Sequence, residues 1–173
     1  DPQRIEILNY AADNLFHEWD GVRYDVFTAS GAIECLKAER PRVLYVALGE
    51  TDDWAHAGRY DRYLLTAEQN DGFIQKIWAQ TQQMPEYRNR TAFLVTTDHG
   101  RGDGREGWKN HGLHLPGSER IWVAAFGAGF TTSEIDRGGS YTQAQIAATV
   151  AKLLGYDFTQ VDERVADPLP IVE

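Results

Sequence analysis

The sequence predicts an α/β fold with a mainly parallel sheet and helices on both faces. Three apolar runs of strand length carry this prediction, at residues 42–48, 91–96 and 121–126. Continuous apolar runs are typical of strands that are covered on both faces, as strands are in parallel sheets. Segments with helical periodicity lie between these runs, and such an alternation of strands and helices indicates a layered α/β architecture.

The helices are predicted from the spacing of apolar residues. Residues 4–19 show a weak helical pattern. Residues 24–40 place apolar side chains at helical spacing, and Pro41 ends this helix because proline disfavours helix at the residue before it. In residues 59–83 the apolar positions return every three or four residues, which predicts one long helix that ends before Pro85.

The C-terminal part of the chain predicts one further helix and two irregular stretches. Ser140 and Gln143 have the spacing of a capping box, which predicts a helix that begins there and runs to Leu154. Residues 100–117 and 128–139 show no periodicity. The first stretch is too long for a simple connection in a compact domain, and loops of that length are often functional.

Size, charge and cysteine content narrow the function classes. The 173 residues fit a single domain with its own core. A net charge of −9 disfavours binding to nucleic acid or to anionic membrane surfaces, and no apolar window reaches the length of a membrane span. Cys35 is the only cysteine, which excludes an internal disulfide and a thiolate zinc site.

Aspartate and histidine side chains follow the predicted strands. Ligands gather beyond the carboxyl ends of the strands in open parallel sheets, so these residues are expected at one edge of the sheet. The two that are four residues apart would share one face of a helical turn. The candidate residues are Asp52 and His56 after the first run, Asp98 and His99 after the second, and His111 and His114 before the third.

Mixed carboxylate and imidazole side chains favour a catalytic site for zinc or manganese. Two such ions a short distance apart can clamp a phosphate group and neutralise charge on both the attacking and the leaving side. The pattern therefore predicts hydrolysis or transfer of an ester at phosphorus or sulfur.

Three motifs carry a resemblance to a known family. The stretches LGETDDWAHAGRYDRYL, FLVTTDHGRGDG and WKNHG, the last ahead of RIWVAAFGAG, resemble the C-terminal half of the alkaline phosphatase superfamily of metal-dependent hydrolases. The resemblance covers residues 24–155. It implies an alkaline-phosphatase-like α/β fold in which residues 1–173 form a single domain that is only part of the full enzyme.

The resemblance implies a set of metal ligands. Asp52 and His56 match the Asp-x-x-x-His motif that binds the first metal, and Asp98 and His99 match the Asp-His pair that serves the second. The implied cofactors are two divalent ions, most simply zinc, with manganese as the alternative.

The late histidine of the first metal site has two candidates. His111 is favoured over His114 because the spacing Trp108-x-x-His111-Gly112 lies at the more family-like distance from the following strand.

The chain departs from the superfamily in its first residues. An early aspartate ligand and a Ser or Thr nucleophile are expected upstream, and none of Asp20, Asp25, Thr28 and Ser30 follows a buried strand. No catalytic nucleophile is therefore assigned. The expectation is a C-terminal portion that works with the N-terminal portion of the same enzyme, where a nucleophile with a metal-lowered pKa attacks phosphorus and water then releases the product.

Several alternatives stay open. The expected substrate is a small phosphate ester, and a sulfatase, phosphodiesterase or phosphomutase of the same superfamily is the alternative. Arg101 and Arg105 are either phosphate-binding residues or solvated loop arginines. The tripeptide Arg101-Gly102-Asp103 also allows a non-enzyme hypothesis, in which the chain is an adhesion-type binding module. A non-catalytic fragment is the other non-enzyme hypothesis. The expected location is periplasmic or extracellular, and the sequence predicts no oligomeric state.

Overall fold

A computed structural model describes residues 1–19, 21–130, 141–161 and 164–170. These residues form two compact units. The first unit consists of Asp1–Pro85 and Arg101–Ser118, and the second consists of Glu86–Gly100 and Glu119–Glu173. The prediction that the chain is the C-terminal portion of a longer enzyme stays a prediction.

The first unit is helical. It contains α1 (Pro2–Asn14), α2 (Asp25–Glu39), α3 (Glu50–His56), α4 (Tyr60–Gln83) and the short α5 (Gly104–Gly107). The helix α1 packs on α2, and both α2 and α3 pack on α4. The predicted helices at residues 24–40 and 59–83 are confirmed, and the N-terminal helix ends at Asn14, earlier than expected.

Small side chains form much of the buried surface in this unit. Ala29, Ala32 and Leu36 lie on the buried side of α2, and Ala55 of α3 is fully buried. Alanine lets helices approach closely without losing side-chain entropy on burial. Among the described helices, none is both long enough and apolar enough to cross a bilayer.

The second unit contains a two-stranded sheet and a C-terminal helix. Strand β1 (Ala92–Thr96) pairs antiparallel with β2 (Val123–Gly127). The rings of Phe93 and Phe126, which are opposite each other in this register, stack with centroids 5.1 Å apart. Helix α6 (Gln145–Leu153) follows and packs on a 3-10 turn at Phe158–Gln160.

The predicted fold class is wrong. Within the described residues the chain forms helices and one antiparallel strand pair, and no parallel sheet with helices on both faces. The runs at 91–96 and 121–126 do form strands, but all of β1 is only half-buried, and β2 has exposed residues as well. An apolar run gives no information about the direction of the neighbouring strand.

The first predicted strand, residues 42–48, is not a strand among the described residues. Its side chains still alternate, since Leu44, Val46 and Leu48 are half-buried, whereas Val43 and Tyr45 are exposed. No hydrogen bond joins residues 43–48 to other described residues. The segment therefore has the side-chain pattern of a strand without the pairing that defines one.

The start of α6 also differs from the prediction. Ser140 lies outside the described residues, so the predicted capping box cannot be placed there. Two residues further along, the side chain of Gln145 accepts a hydrogen bond of 2.9 Å from the backbone N–H of Thr142. This is the glutamine half of a capping box at Thr142-x-x-Gln145.

The carboxylates of Asp25 and Glu50 cap the starts of helices α2 and α3. The buried carboxylate of Asp25 accepts hydrogen bonds from the backbone N–H groups of Gly49, at 2.7 Å, and of Glu50. In return, Glu50 accepts a 2.6 Å bond from the backbone N–H of Asp25. Each carboxylate thus satisfies N–H groups at the start of the other helix, which have no partner within that helix. This reciprocal contact fixes where α3 begins.

Burial raises the pKa of both carboxyl groups. The pKa of Asp25 rises because the side chain is removed from water, although bonds from Gly49, Glu50 and Asn70 partly oppose the rise. The pKa of Glu50 rises for the same reason, and the nearby charge of Asp25 raises it further. A raised pKa means that the folded protein binds the proton more tightly than the unfolded chain does.

Asp25→Ala is expected to destabilise the start of α3 by about 2–3 kcal/mol, because it leaves buried N–H donors without acceptors. The measurement is hydrogen–deuterium exchange of the peptide that covers residues 49–56, in the intact protein. Asp25→Asn keeps one acceptor oxygen and should cost less, and Asp13→Ala on the exposed surface of α1 should change nothing. Unchanged protection in Asp25→Ala would contradict the reciprocal capping.

The same junction should become less stable as the pH rises. The carboxyl groups of Asp25 and Glu50 have raised pKa values in the fold, so their protonated forms stabilise the folded state at low pH, and this contribution is lost as the pH rises through the raised values. Exchange protection of residues 49–56, corrected for intrinsic rates, should fall from about pH 4 upward. Asp25→Asn should make the exchange protection of residues 49–56 less dependent on pH. Protection that increases with pH in the wild type would contradict the prediction.

Candidate metal centre

Helix α3 places two of the predicted ligands on one face. Asp52 and His56 are four residues apart, and the Nε2 atom of His56 lies 3.3 Å from Oδ2 of Asp52. Helix α3 begins at Glu50, so the two residues share one helix face. Both side chains stay partly exposed, at 36% for Asp52 and 40% for His56, so an ion and a substrate can reach them from solvent.

The loop of residues 101–118 brings His111 to the same place. The Nε2 atom of His111 lies 3.1 Å from Nε2 of His56 and 3.6 Å from Oδ1 of Asp52. Within the first unit the side chains of Asp52, His56 and His111 therefore converge, and we call them the Asp52 cluster. His114 is exposed and does not join this cluster.

The spacing of the Asp52 cluster fits a metal ion. A tetrahedral zinc ion with bonds of about 2.0–2.1 Å to nitrogen and oxygen holds neighbouring ligand atoms about 3.3–3.4 Å apart. The two histidine nitrogens are 3.1 Å apart, Nε2 of His56 lies 3.3 Å from Oδ2 of Asp52, and Nε2 of His111 lies 3.6 Å from the other oxygen, Oδ1. Two imidazoles and one carboxylate are also a donor set that zinc and manganese accept, with room for a further ligand.

Close backbone packing shapes the loop that carries His111. The backbone N–H of Gly102 donates to the carbonyl of Asn110, at 3.0 Å, which closes the loop just before His111. A Cβ atom on Gly102 would lie 2.7 Å from the carbonyl oxygen of Gly107 and would also overlap Leu115. Glycine is therefore required at 102 for this close approach.

An aromatic contact anchors the same loop on α4. The Trp108 ring meets Tyr60 edge-on with centroids 5.2 Å apart, and its centroid lies 6.0 Å from that of Tyr63. Such edge-to-face contacts add to the apolar area that the rings bury. Since Trp108 is three residues before His111, this packing helps to hold the histidine near His56.

Arg101 takes part in the site in a way that the sequence did not predict. Its Nη2 atom donates to the backbone carbonyl of Asp52, at 3.1 Å, and to Oδ1 of the same residue, and Nη1 donates to the carbonyl of Trp108 at 3.5 Å. Its side chain is only 14% exposed. Arg101 is thus held by ion pairing, and the Arg101-Gly102-Asp103 tripeptide does not present a free arginine as an adhesion loop would.

Asp53 lies beside the cluster on α3. Burial raises the pKa of its carboxyl group, and the negative charge of Asp52 raises it further, while His17 and His56 act in the opposite direction. The negative charge of Asp52 therefore acts on the carboxyl group of its immediate neighbour.

The second unit holds the other predicted pair. Strand β1 ends at Thr96, and His99 follows with Nε2 3.6 Å from Oδ2 of Asp98. The Asp98 side chain also accepts from the backbone N–H of His99, at 3.0 Å, and the Nδ1 atom of His99 lies 3.0 Å from the carbonyl oxygen of Gly100. The two side chains turn toward each other, as the prediction of a second metal site requires, and that site stays a prediction.

Comparison with known proteins gives a coarse classification. No family model matches the chain, and no solved structure gives a significant match. One curated protein is distantly similar, and it hints at the alkaline phosphatase superfamily and at phosphate-ester chemistry. This relative is GPI ethanolamine phosphate transferase 1 of Chaetomium globosum, which is 26% identical over 193 aligned positions. The alignment covers 91% of this chain and 20% of the relative, so the chain spans about one fifth of the relative's length.

Trp108→Ala should loosen the loop that carries His111. The variant loses the ring contacts with Tyr60 and Tyr63, which we estimate at about 1.5 kcal/mol. Tryptic cleavage of the loop should therefore become about tenfold faster or more, because the loop opens more often. The cleavage sites are Arg101, Arg105 and Lys109. Limited proteolysis followed by mass spectrometry measures this. Trp122→Ala, which removes an exposed ring in the second unit, is the matched control. Equal cleavage in both variants would show that Trp108 does not anchor the loop.

Proposed function

We propose that this chain supplies the metal ligands of an enzyme that cleaves or transfers phosphate esters. The observation that carries the proposal is the convergence of Asp52, His56 and His111, with ligand atoms separated by 3.1–3.6 Å in the first unit. The distant similarity to a phosphate transferase supports the class of chemistry. Zinc is the proposed ion, with manganese as the alternative.

Each residue of the cluster has a defined role in this proposal. A divalent ion held there would stabilise the negative charge that develops on a phosphoryl oxygen during the reaction. Asp52 supplies the one negative charge of the cluster. His56 and His111 must be neutral to bind through Nε2, so each would carry its proton on Nδ1. Asp98 and His99 are the proposed ligands of a second ion.

The nucleophile and the remaining ligands are proposed to come from another portion of the intact protein. No residue of this chain is assigned as the nucleophile. The proposed substrate is a small phosphate ester, and a sulfate ester or a phosphodiester is the alternative. We also propose that the intact protein works outside the cytoplasm, in the periplasm or beyond the cell.

The name of the relative favours transfer as a second candidate reaction. That protein is an ethanolamine phosphate transferase, and the enzyme proposed here would then pass a phosphoryl-containing group to an alcohol acceptor as well as to water. The two reactions need the same metal ligands and differ in the acceptor. Product analysis with and without an added alcohol separates them.

Replacement of a cluster ligand should remove metal and activity together. In the intact protein, His56→Ala and His111→Ala should each lose bound zinc or manganese in elemental analysis, and kcat/KM for p-nitrophenyl phosphate should fall by about 100-fold or more, since metal stabilisation contributes several kcal/mol. His114→Ala is the control, because this exposed histidine does not join the cluster. Parallel assays with the bis-ester and the sulfate rank the substrates.

A metal-free intact protein, or variants that keep their metal and activity, would overturn the proposal. Loss of metal in His114→Ala with retention in His111→Ala would instead reassign the late ligand to His114.

A further inference from the structure

Arg101 is a largely enclosed charged group that contacts the Asp52 cluster. Its side chain is 14% exposed, whereas Asp52 is 36% exposed and His111 is 31% exposed. A guanidinium presents several N–H donors in a fixed planar fork. In Arg101 this fork reaches both the side chain and the main chain of one predicted metal ligand.

The contacts of Arg101 restrict the orientation of Asp52. The Nη2 atom bonds to Oδ1, and Nε2 of His56 lies 3.3 Å from the other oxygen, Oδ2. The same Nη2 atom also bonds to the carbonyl oxygen of Asp52, at 3.1 Å, so the side chain is held relative to its own backbone. A rotation of the carboxylate would break these bonds. The ligand is therefore held in place before any ion arrives.

Arg101 also connects Asp52 with the loop that carries His111. Its Nη1 atom reaches the carbonyl of Trp108 at 3.5 Å, and its neighbour Gly102 closes the loop by donating to the carbonyl of Asn110. One guanidinium thus links the helix that supplies Asp52 and His56 to the loop that supplies His111.

We propose that Arg101 is a positioning residue for the metal centre, which orients Asp52 and thereby strengthens divalent-metal binding. This inference rests on the proposed function, because it assumes that the Asp52 cluster binds an ion. Residues that hydrogen-bond to metal ligands typically change metal affinity by about 10–100-fold when they are replaced.

Two effects of Arg101 on metal binding oppose each other. Its N–H donors hold the carboxylate in place, which favours binding, and its positive charge repels the ion, which disfavours binding. His56 and Asp52 are 40% and 36% exposed, so water and salt screen the repulsion. Orientation by direct hydrogen bonds to a partly buried carboxylate is screened much less. We therefore expect orientation to dominate.

The test is cobalt(II) binding by the metal-free intact protein, followed through the visible absorption of the bound ion. Arg101→Ala should weaken cobalt binding by about 10–100-fold and reduce the intensity of the visible bands. Arg101→Lys keeps the charge without the planar fork, so it should not restore affinity. Arg101→Gln keeps an N–H donor without the charge and should be intermediate. Arg105→Ala, in the exposed first turn of α5, is the matched control and should bind like the wild type.

The outcomes separate the inference from the proposed function. If the wild type binds cobalt and Arg101→Ala binds it equally or more tightly, the positioning role is overturned, and full affinity in Arg101→Lys would show that charge alone matters. If the wild type binds no cobalt, the proposed function fails and the inference fails with it. Circular dichroism identifies variants that do not fold. If Arg101→Ala does not fold, Arg101→Gln is compared with the wild type in its place.

Discussion

The carboxylate of Asp52 is the contact on which the candidate site depends. Its two oxygens meet His56 within the same helix and both His111 and Arg101 from the loop of residues 101–118. Helix α3 has only seven residues and is too short to be stable alone. Its position comes from the carboxylate pair of Asp25 and Glu50 at its start and from packing on α4. The site thus lies on a short helix that is held in place by contacts with other parts of the chain.

Helices were predictable from the sequence because their evidence is local. The apolar spacing in residues 24–40 and 59–83 predicted α2 and α4 to within about one residue at each end, and the prolines at 41 and 85 each lie two residues after the last helical residue. Sheet pairing was not predictable in this way, because the partner of a strand is distant in the chain. Residues 43–48 show the difference, since they keep a strand's side-chain alternation without any hydrogen-bonded neighbour among the described residues.

The difference between local and long-range contacts also decides which parts of the site could be predicted. The spacing of Asp52 and His56 predicted their shared helix face, and the structure places them so. The ion pair between Arg101 and Asp52 joins residues 49 positions apart, and an arginine in a glycine-rich loop gives no local sign of such a partner. The closure of the loop through Gly102 is likewise a property of packed backbone. A sequence can show which residue types bind metal, whereas the residues that hold those ligands are found only once the chain is folded.

The charges of the site explain why an arginine can sit beside a metal ligand. Without an ion, the single negative charge of Asp52 is balanced by Arg101. Addition of a divalent ion would leave a net charge of about +2 at the cluster, which is opposite in sign and similar in size to the charge of about −2 on a phosphate monoester near neutral pH. A carboxylate in place of Arg101 would bind the ion more tightly but would cancel this positive charge. The arginine is therefore consistent with a site whose ion must attract an anionic substrate as well as remain bound.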